Sequence, residues 1–198
     1  MKKLFKLLIF SGYVFSCPVS AHEVITWVSP YYINDSKTVL ENSYGGIPVK
    51  STLTRVGLQF WNISSKGSVN LLHSTDADVR WFANWGKQNN IKILLTVIND
   101  GSIENGYWGF DWTLVRAACY DTRGDTLIAN LLAEVDKYEL AGIDLDFEGE
   151  DNQGGPFTND DDVKYAVFVN KLCDSLHARG KICTIDTYPG NDWGAPRP

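Results

Sequence analysis

The chain has 198 residues, and its content of 44% hydrophobic and 13% aromatic residues is typical of a folded protein rather than a disordered one. This length gives room for one domain with a sizeable core. The formal net charge of −6 argues against nucleic acid as a partner.

The first 21 residues predict a secretory signal peptide. Three lysines precede an apolar run over residues 7–15, and Val19-Ser20-Ala21 resembles a signal-peptidase cleavage site. The apolar run is too short to span a bilayer comfortably. We therefore expect a secreted or periplasmic domain of residues 22–198 with no membrane partner after cleavage. Loss of the three lysines lowers the basic count from 18 to 15 against 24 acidic residues, a formal charge of −9.

The first part of this domain predicts two strands. Residues 23–33 are rich in β-branched and aromatic side chains, and residues 53–63 form a second strand after a short helix over 36–42. The aromatic residues of the first strand either line a binding site or belong to the core: Trp27, Tyr31 and Tyr32.

The middle of the chain predicts a capped helix and a buried strand. Ser74-Thr75-Asp76-Ala77-Asp78 is a capping-type entry to a helix that ends at residues 89–90. Residues 91–100 are almost continuously apolar, which is typical of a strand buried on both faces. The loop over 101–112 is aromatic, and its rings either form a binding rim or pack in the core.

The last part predicts two helices around a strand, and then another strand. The helices cover residues 125–140 and about 159–178, and the last strand covers 181–188. The run Asp160-Asp161-Asp162 could suggest a calcium loop, but acids in the first turn of a helix are stabilised by its dipole. We therefore expect no metal. Strands that alternate with helices predict a parallel α/β sheet.

Three cysteines remain after the predicted cleavage, namely Cys119, Cys173 and Cys183. Their number is odd for an exported chain, and their spacing does not match a metal site. Either Cys173 and Cys183 form a disulfide bond, or all three are buried thiols.

Residues 141–148 alternate between apolar and acidic side chains and predict a strand. On a strand, Asp144, Asp146 and Glu148 share one face. A solvated face is the simple interpretation, but aspartate is disfavoured in strands and stacked like charges repel. Crowded carboxyls raise one another's pKa, which can produce a general acid. Glu148 is the candidate proton donor because the strand ends there in a glycine-rich loop.

The segment Gly-Ile-Asp-Leu-Asp-Phe-Glu at 142–148 resembles the signature of the family 18 glycoside hydrolases, the chitinases and endo-β-N-acetylglucosaminidases. That signature, Asp-x-x-Asp-x-Asp-x-Glu, ends the fourth strand of a barrel. Ala141 stands where the family has its first Asp, and Thr96-Val97-Ile98-Asn99 stands where it commonly has Ser-x-Gly-Gly. The resemblance implies an α/β fold of the parallel (β/α) TIM-barrel type that is incomplete, with about five of eight strands.

The resemblance also implies a mechanism. The enzyme would cleave β-1,4-linked N-acetylglucosamine in chitin or glycans with retention, because the substrate's own acetamido oxygen attacks the sugar. Glu148 would act as general acid and then base, Asp146 would hold the acetamido group, and Asp144 would tune Asp146. No cofactor is implied.

Further residues are expected to contact the sugar. Aromatic rings stack on sugar faces, so Tyr107, Trp108 and Trp112 are candidates for a binding rim. Asp186 and Tyr188 follow the last strand and are expected to project toward the same mouth. The alternative is a truncated, catalytically inert, lectin-like partial barrel, because five strands leave two open edges.

Overall fold

The computed structural model describes residues 22–102, 104, 106, 109–149 and 158–186. The predicted signal peptide lies outside the described residues, as do Tyr107, Trp108 and Tyr188. Within the described part of the chain, no helix is both long and apolar enough to cross a membrane.

The described elements alternate between strands and helices along most of the chain. In chain order they are β1 (Ile25–Val28), α1 (Ile33–Glu41), β2 (Ser43–Tyr44), β3 (Ile47–Pro48), a 3-10 turn (Val49–Ser51), β4 (Arg55–Ile63), β5 (Val69–Leu71), α2 (Asp76–Asn89), β6 (Lys92–Ile98), α3 (Trp112–Cys119), α4 (Arg123–Tyr138), β7 (Gly142–Asp146), α5 (Asn159–His177) and β8 (Ile182–Ile185).

Five strands form one parallel sheet in the order β1-β4-β6-β7-β8. These are the five strands that the sequence predicts, and each pairs with the next of the five along the chain. β5 adds an antiparallel pairing to the end of β4. This arrangement confirms the predicted fold class, an α/β sheet of the barrel type with five of eight strands.

The core lies between the central strands and the helices. All five residues of β7 are buried, and Ile143 and Leu145 on its apolar face have no exposed surface. Gly142 at its start allows β8 to approach, because a Cβ there would lie 2.1 Å from the carbonyl oxygen of Ile182. The central strand β6 is likewise buried over most of its length, as its continuous apolar sequence predicts.

Capping residues determine where two helices begin. Thr75 and Asp78 cap α2 reciprocally, and Thr158 and Asp161 cap α5 in the same way. Asp161 also accepts two hydrogen bonds from the Arg116 guanidinium, at 2.9 and 2.8 Å. That guanidinium holds the pKa of Asp161 far below its usual range. The acidic run at 160–162 therefore begins a helix, and its central carboxylate is occupied by the cap and the ion pair.

The structure adds one helix that the sequence pattern did not predict. α3 begins at the end of the aromatic loop, where Asp111 accepts a hydrogen bond from the backbone N–H of Thr113 at 2.8 Å. At its start, Trp112 is only 6% exposed, and its ring meets the edge of Tyr165 at a centroid distance of 5.3 Å. The burial of Trp112 favours core packing over a place in the predicted binding rim.

A disulfide bond joins Cys173 of α5 to Cys183 of β8. Of the two interpretations of the cysteines, the bridge is confirmed. Cys119 is a buried free thiol, and burial raises its pKa. The bridge ties β8, which is an edge among the described strands, to the helix that covers it.

We expect the double variant Cys173→Ala/Cys183→Ala to lose about 2–3 kcal/mol of unfolding free energy, because the bridge closes a short loop in the unfolded chain. Urea denaturation with and without dithiothreitol measures the effect. The wild type should lose stability in reductant and the double variant should not. Equal stability of the oxidised and reduced wild type would contradict a stabilising bridge.

Candidate active site

The predicted acids lie at the carboxyl end of the sheet. Asp144 and Asp146 on β7 are 1% and 4% exposed. Glu148 follows two residues after the end of β7 and is exposed. Carboxyl groups this deeply buried need partners, and each of the two aspartates has them.

Three strands supply hydrogen bonds to the Asp144 carboxylate. Trp27 Nε1 on β1 donates to Oδ2 at 2.8 Å, and Thr96 Oγ1 on β6 donates to the same oxygen at 3.1 Å. Thr184 Oγ1 on β8 donates to Oδ1. In a flat sheet β1 and β7 would lie about 14 Å apart, since two strands separate them. The bond from Trp27 therefore requires the sheet to curl toward closure.

Gly57 on β4 makes room for this contact. A Cβ at Gly57 would lie 2.5 Å from Thr96 Oγ1 and 2.8 Å from Trp27 Cδ1. Both distances are shorter than van der Waals contact, so any side chain there would displace two of the three donors to Asp144.

Asp146 is held by Gln59 and is paired with Glu148. Gln59 Nε2 on β4 donates to Asp146 Oδ2 at 2.9 Å. Burial raises the pKa of Asp146 and the charge of Asp144 adds to the rise, while hydrogen bonds from Gln59 and Glu148 oppose it. A bond that lowers the pKa of Asp146 is one that its carboxylate accepts. Asp146 and Glu148 therefore share a hydrogen bond between their carboxyl groups.

Asn99 fixes the main chain at Glu148. Its side-chain Nδ2 donates to the Glu148 carbonyl oxygen at 2.7 Å, and its Oδ1 accepts from the Glu148 N–H at 3.0 Å. Asn99 is fully buried beyond the end of β6. An exposed glutamate is thus attached to a rigid backbone.

Asp186 joins these acids from the end of β8. Its N–H donates to the carbonyl oxygen of Leu145 at 2.8 Å, which places its main chain beside β7. Burial, followed by the negative charges of Asp144, Asp146 and Glu148, raises the pKa of Asp186 to about 7. The structure therefore brings together four of the predicted site residues: Asp144, Asp146, Glu148 and Asp186.

A cavity of about 190 Å³ lies beside Gln59, the residue that binds Asp146. Gln59 contributes to its wall, together with Tyr31, Phe110 and Asp100. Gln59 therefore lies between this cavity and Asp146. Among the residues that the structure describes, no group of three or more His, Cys, Asp or Glu side chains could hold a metal ion.

Sequence reasoning did not assign the hydrogen-bonding partners of the acids. The signal available for them is a polar residue inside an apolar run, as at Thr96 and Thr184, or at the end of one, as at Asn99. The role of Trp27 was left open between binding and core, and the structure places its indole on Asp144.

No family model matches the chain, and no curated protein sequence matches it. Several solved structures are similar in fold. A chitinase from Chromobacterium violaceum has a TM-score of 0.60 at 19% identity, over 83% of this chain and 45% of that chain. The spore cortex-lytic enzyme SleL from Bacillus megaterium has a TM-score of 0.62 at 17% identity, over 88% and 36%.

A family 18 chitinase from the chitin utilization locus of Flavobacterium johnsoniae has a TM-score of 0.57 at 20% identity, over 82% of this chain and 45% of that chain. The chain thus spans less than half the length of each of these structures. At such identities the likeness shows the fold, which is the barrel-type α/β fold of chitinases.

We expect Thr96→Val to lower the free energy of unfolding by about 1–3 kcal/mol, because it removes a donor from a buried carboxyl group without changing the side chain's shape. Urea denaturation at neutral pH measures the loss. Thr38→Val on the exposed face of α1 is the control and should change stability by less than about 0.5 kcal/mol. Equal losses in both variants would contradict the role of Thr96.

The raised pKa of Asp186 predicts a stability difference that depends on pH. Between about pH 4 and 7 the unfolded chain loses the Asp186 proton while the folded chain keeps it, so the wild type loses stability as the pH rises. Asp186→Asn has no proton to lose at this position, so its stability does not fall in this way as the pH rises. Its unfolding free energy relative to the wild type should therefore increase from pH 4 to 7 and level off above. Urea denaturation across this range measures it, and a constant difference would contradict the raised pKa.

Proposed function

We propose that this protein is a secreted glycoside hydrolase that cleaves β-1,4-linked N-acetylglucosamine in chitin or related glycans, with retention of configuration. The observation that carries the proposal is the pair of Asp146 and Glu148, which share a hydrogen bond at the carboxyl end of β7. One acid of the pair is buried and the other is exposed. The pair therefore combines a fixed acceptor with a proton donor that a ligand can reach.

Glu148 acts as the general acid in this mechanism. Its proton moves to the glycosidic oxygen as the bond from that oxygen to C1 breaks. Asn99 holds the Glu148 backbone on both sides, so the carboxyl group approaches the ligand from a fixed position. In the second half of the reaction the Glu148 carboxylate takes a proton from the water that attacks C1.

Asp146 positions the group that attacks. Its carboxylate accepts a hydrogen bond from the acetamido N–H of the sugar, which directs the acetamido oxygen to C1. Gln59 fixes the orientation of this carboxylate. Asp144 lies behind it as a further acid, and its three donors hold it in place before positive charge develops on the sugar.

The surroundings of the pair support a sugar ligand. Trp27 and Tyr31 are 42% and 55% exposed near this mouth, and aromatic faces of this kind stack on sugar rings. Similar folds belong to proteins described as chitinases, which supports N-acetylglucosamine as the sugar. Secretion rests on the signal peptide that the sequence predicts.

A carbohydrate-binding protein without turnover is the second candidate. Its support is the exposure of Trp27 and Tyr31 at β1, an edge strand among those described, which bears on sugar binding and not on turnover. These rings could bind a sugar whether or not the acids act on it.

Glu148→Gln tests the hydrolase. We expect the variant to lose about 10²–10⁴-fold in the rate of release from a chromogenic N,N′-diacetylchitobioside, because the amide cannot donate the proton. Glu139→Gln is the matched control, since Glu139 is an exposed glutamate at the opposite end of the sheet, after α4. It should keep the wild-type rate.

Calorimetric titration with N-acetylglucosamine oligomers separates the two candidates. Turnover that depends on Glu148 supports the hydrolase. Binding by the wild type and Glu148→Gln alike, with turnover in neither, supports the carbohydrate-binding protein. Equal turnover in the wild type and Glu148→Gln would refute the catalytic assignment.

A further inference from the structure

The pairing of β7 with β8 determines the position of Asp186. Asp144 is paired with Thr184, and the Thr184 hydroxyl reaches the Asp144 carboxylate. Side chains two residues apart on a strand share a face, so Asp186 follows Thr184 on the face that carries the acids. The bond from its N–H to Leu145 continues the β7–β8 pairing to this level. Asp186 therefore lies across from Asp146.

The described groups around Asp186 are acidic or neutral. β7 and the residues after it contribute Asp144, Asp146 and Glu148, whose charges act on Asp186. From α5, Tyr165 lies within electrostatic reach of Asp146 and Asp186, and burial raises the pKa of its phenol. The phenol thus stays neutral while the carboxyl groups titrate. Because the Asp146 carboxylate raises the pKa of Asp186, these two carboxyl groups lose their protons as interacting groups.

We propose that Asp186 is a positioning residue that acts through Asp146 and Glu148, and that its carboxylate keeps the shared proton on this pair at alkaline pH. The physical basis is the reciprocity of coupled titrations. If the charges of Asp146 and Glu148 make Asp186 hold its proton more tightly, an ionised Asp186 makes the pair hold its proton more tightly as well.

This role has a direct consequence for the proposed function, on which it rests. A general acid works only while it is protonated, so rate falls when the pair loses its proton. An ionised Asp186 on the neighbouring strand raises the pH at which the pair loses its proton. Replacement of Asp186 by a neutral side chain removes the charge and leaves the hydrogen bonds of Asp144 and Asp146 in place.

The pH dependence of kcat/KM tests the proposal in the wild type and in Asp186→Asn. We expect the alkaline limb of the variant to move to lower pH by about one unit, which is about a tenfold loss at the alkaline end, with the acid limb unchanged. Asp186→Glu keeps a carboxyl group, so its alkaline limb should lie at the pH of the wild type. Asp136→Asn removes the same charge from an exposed site on α4 and should not move it.

A titration of the Asp146 carboxyl carbon by NMR gives a readout that does not need turnover. In the wild type its resonance should show an additional inflection at about pH 7, where Asp186 ionises. This inflection should disappear in Asp186→Asn and persist in Asp136→Asn. Its absence from the wild type would overturn the coupling between Asp186 and the pair.

The two measurements separate failure of this role from failure of the proposed function. If the inflection is present but no glycan is cleaved, the coupling stands and the hydrolase is wrong. If glycans are cleaved and the alkaline limb of Asp186→Asn matches the wild type, the role of Asp186 is wrong.

Discussion

The hydrogen bond from Trp27 to the Asp144 carboxylate joins β1 to β7, which a flat sheet would keep apart. Thr96 and Thr184 reach the same carboxylate from the adjacent strands β6 and β8, so only the bond from Trp27 depends on the curvature of the sheet. Loss of these donors would destabilise the fold, since a buried carboxyl group without hydrogen bonds is costly. The full set of hydrogen bonds to Asp144 therefore forms only when the sheet curls as it does in a barrel. Gly57 is needed for the same hydrogen bonds, because only a residue without a Cβ leaves room for Trp27 and Thr96.

The chemistry of the site follows from how differently the other acids are placed. Asp146 is buried and accepts a hydrogen bond from Gln59, whereas Glu148 is exposed and its main chain is bound by Asn99. The two carboxyl groups thus have different surroundings: Gln59 orients the buried one, and exposure leaves the other able to contact a ligand. Asp186 adds a fourth acid from the neighbouring strand. The negative charges of the other three acids raise the pKa of this fourth carboxyl group.

The sequence predicted the features that depend on local pattern. Period-two alternation identified β7 and its acidic face, and a continuous apolar run identified β6. A capping-type entry identified the start of α2, and acids in a first turn identified the start of α5. It could not predict the donors to Asp144, because they come from strands far away along the chain. The disulfide stayed open for the same reason, since spacing gives no distance between Cys173 and Cys183. α3 was missed because its aromatic start looked like a loop, and burial of Trp112 depends on Tyr165 from α5.

Ala141 stands where the signature that β7 resembles has its first aspartate, and the structure explains how the strand tolerates this departure. The Ala141 backbone keeps its place in the sheet, with its N–H donating to Ile93 and its carbonyl accepting from Ile182. An acid at 141 could only add negative charge near the amino end of the strand, whereas Asp144 needs donors. Those donors are supplied by one indole and two hydroxyls from other strands. The arrangement of Asp144, Asp146 and Glu148 therefore depends on its neighbours across the sheet, and the residue at position 141 is not needed to hold it.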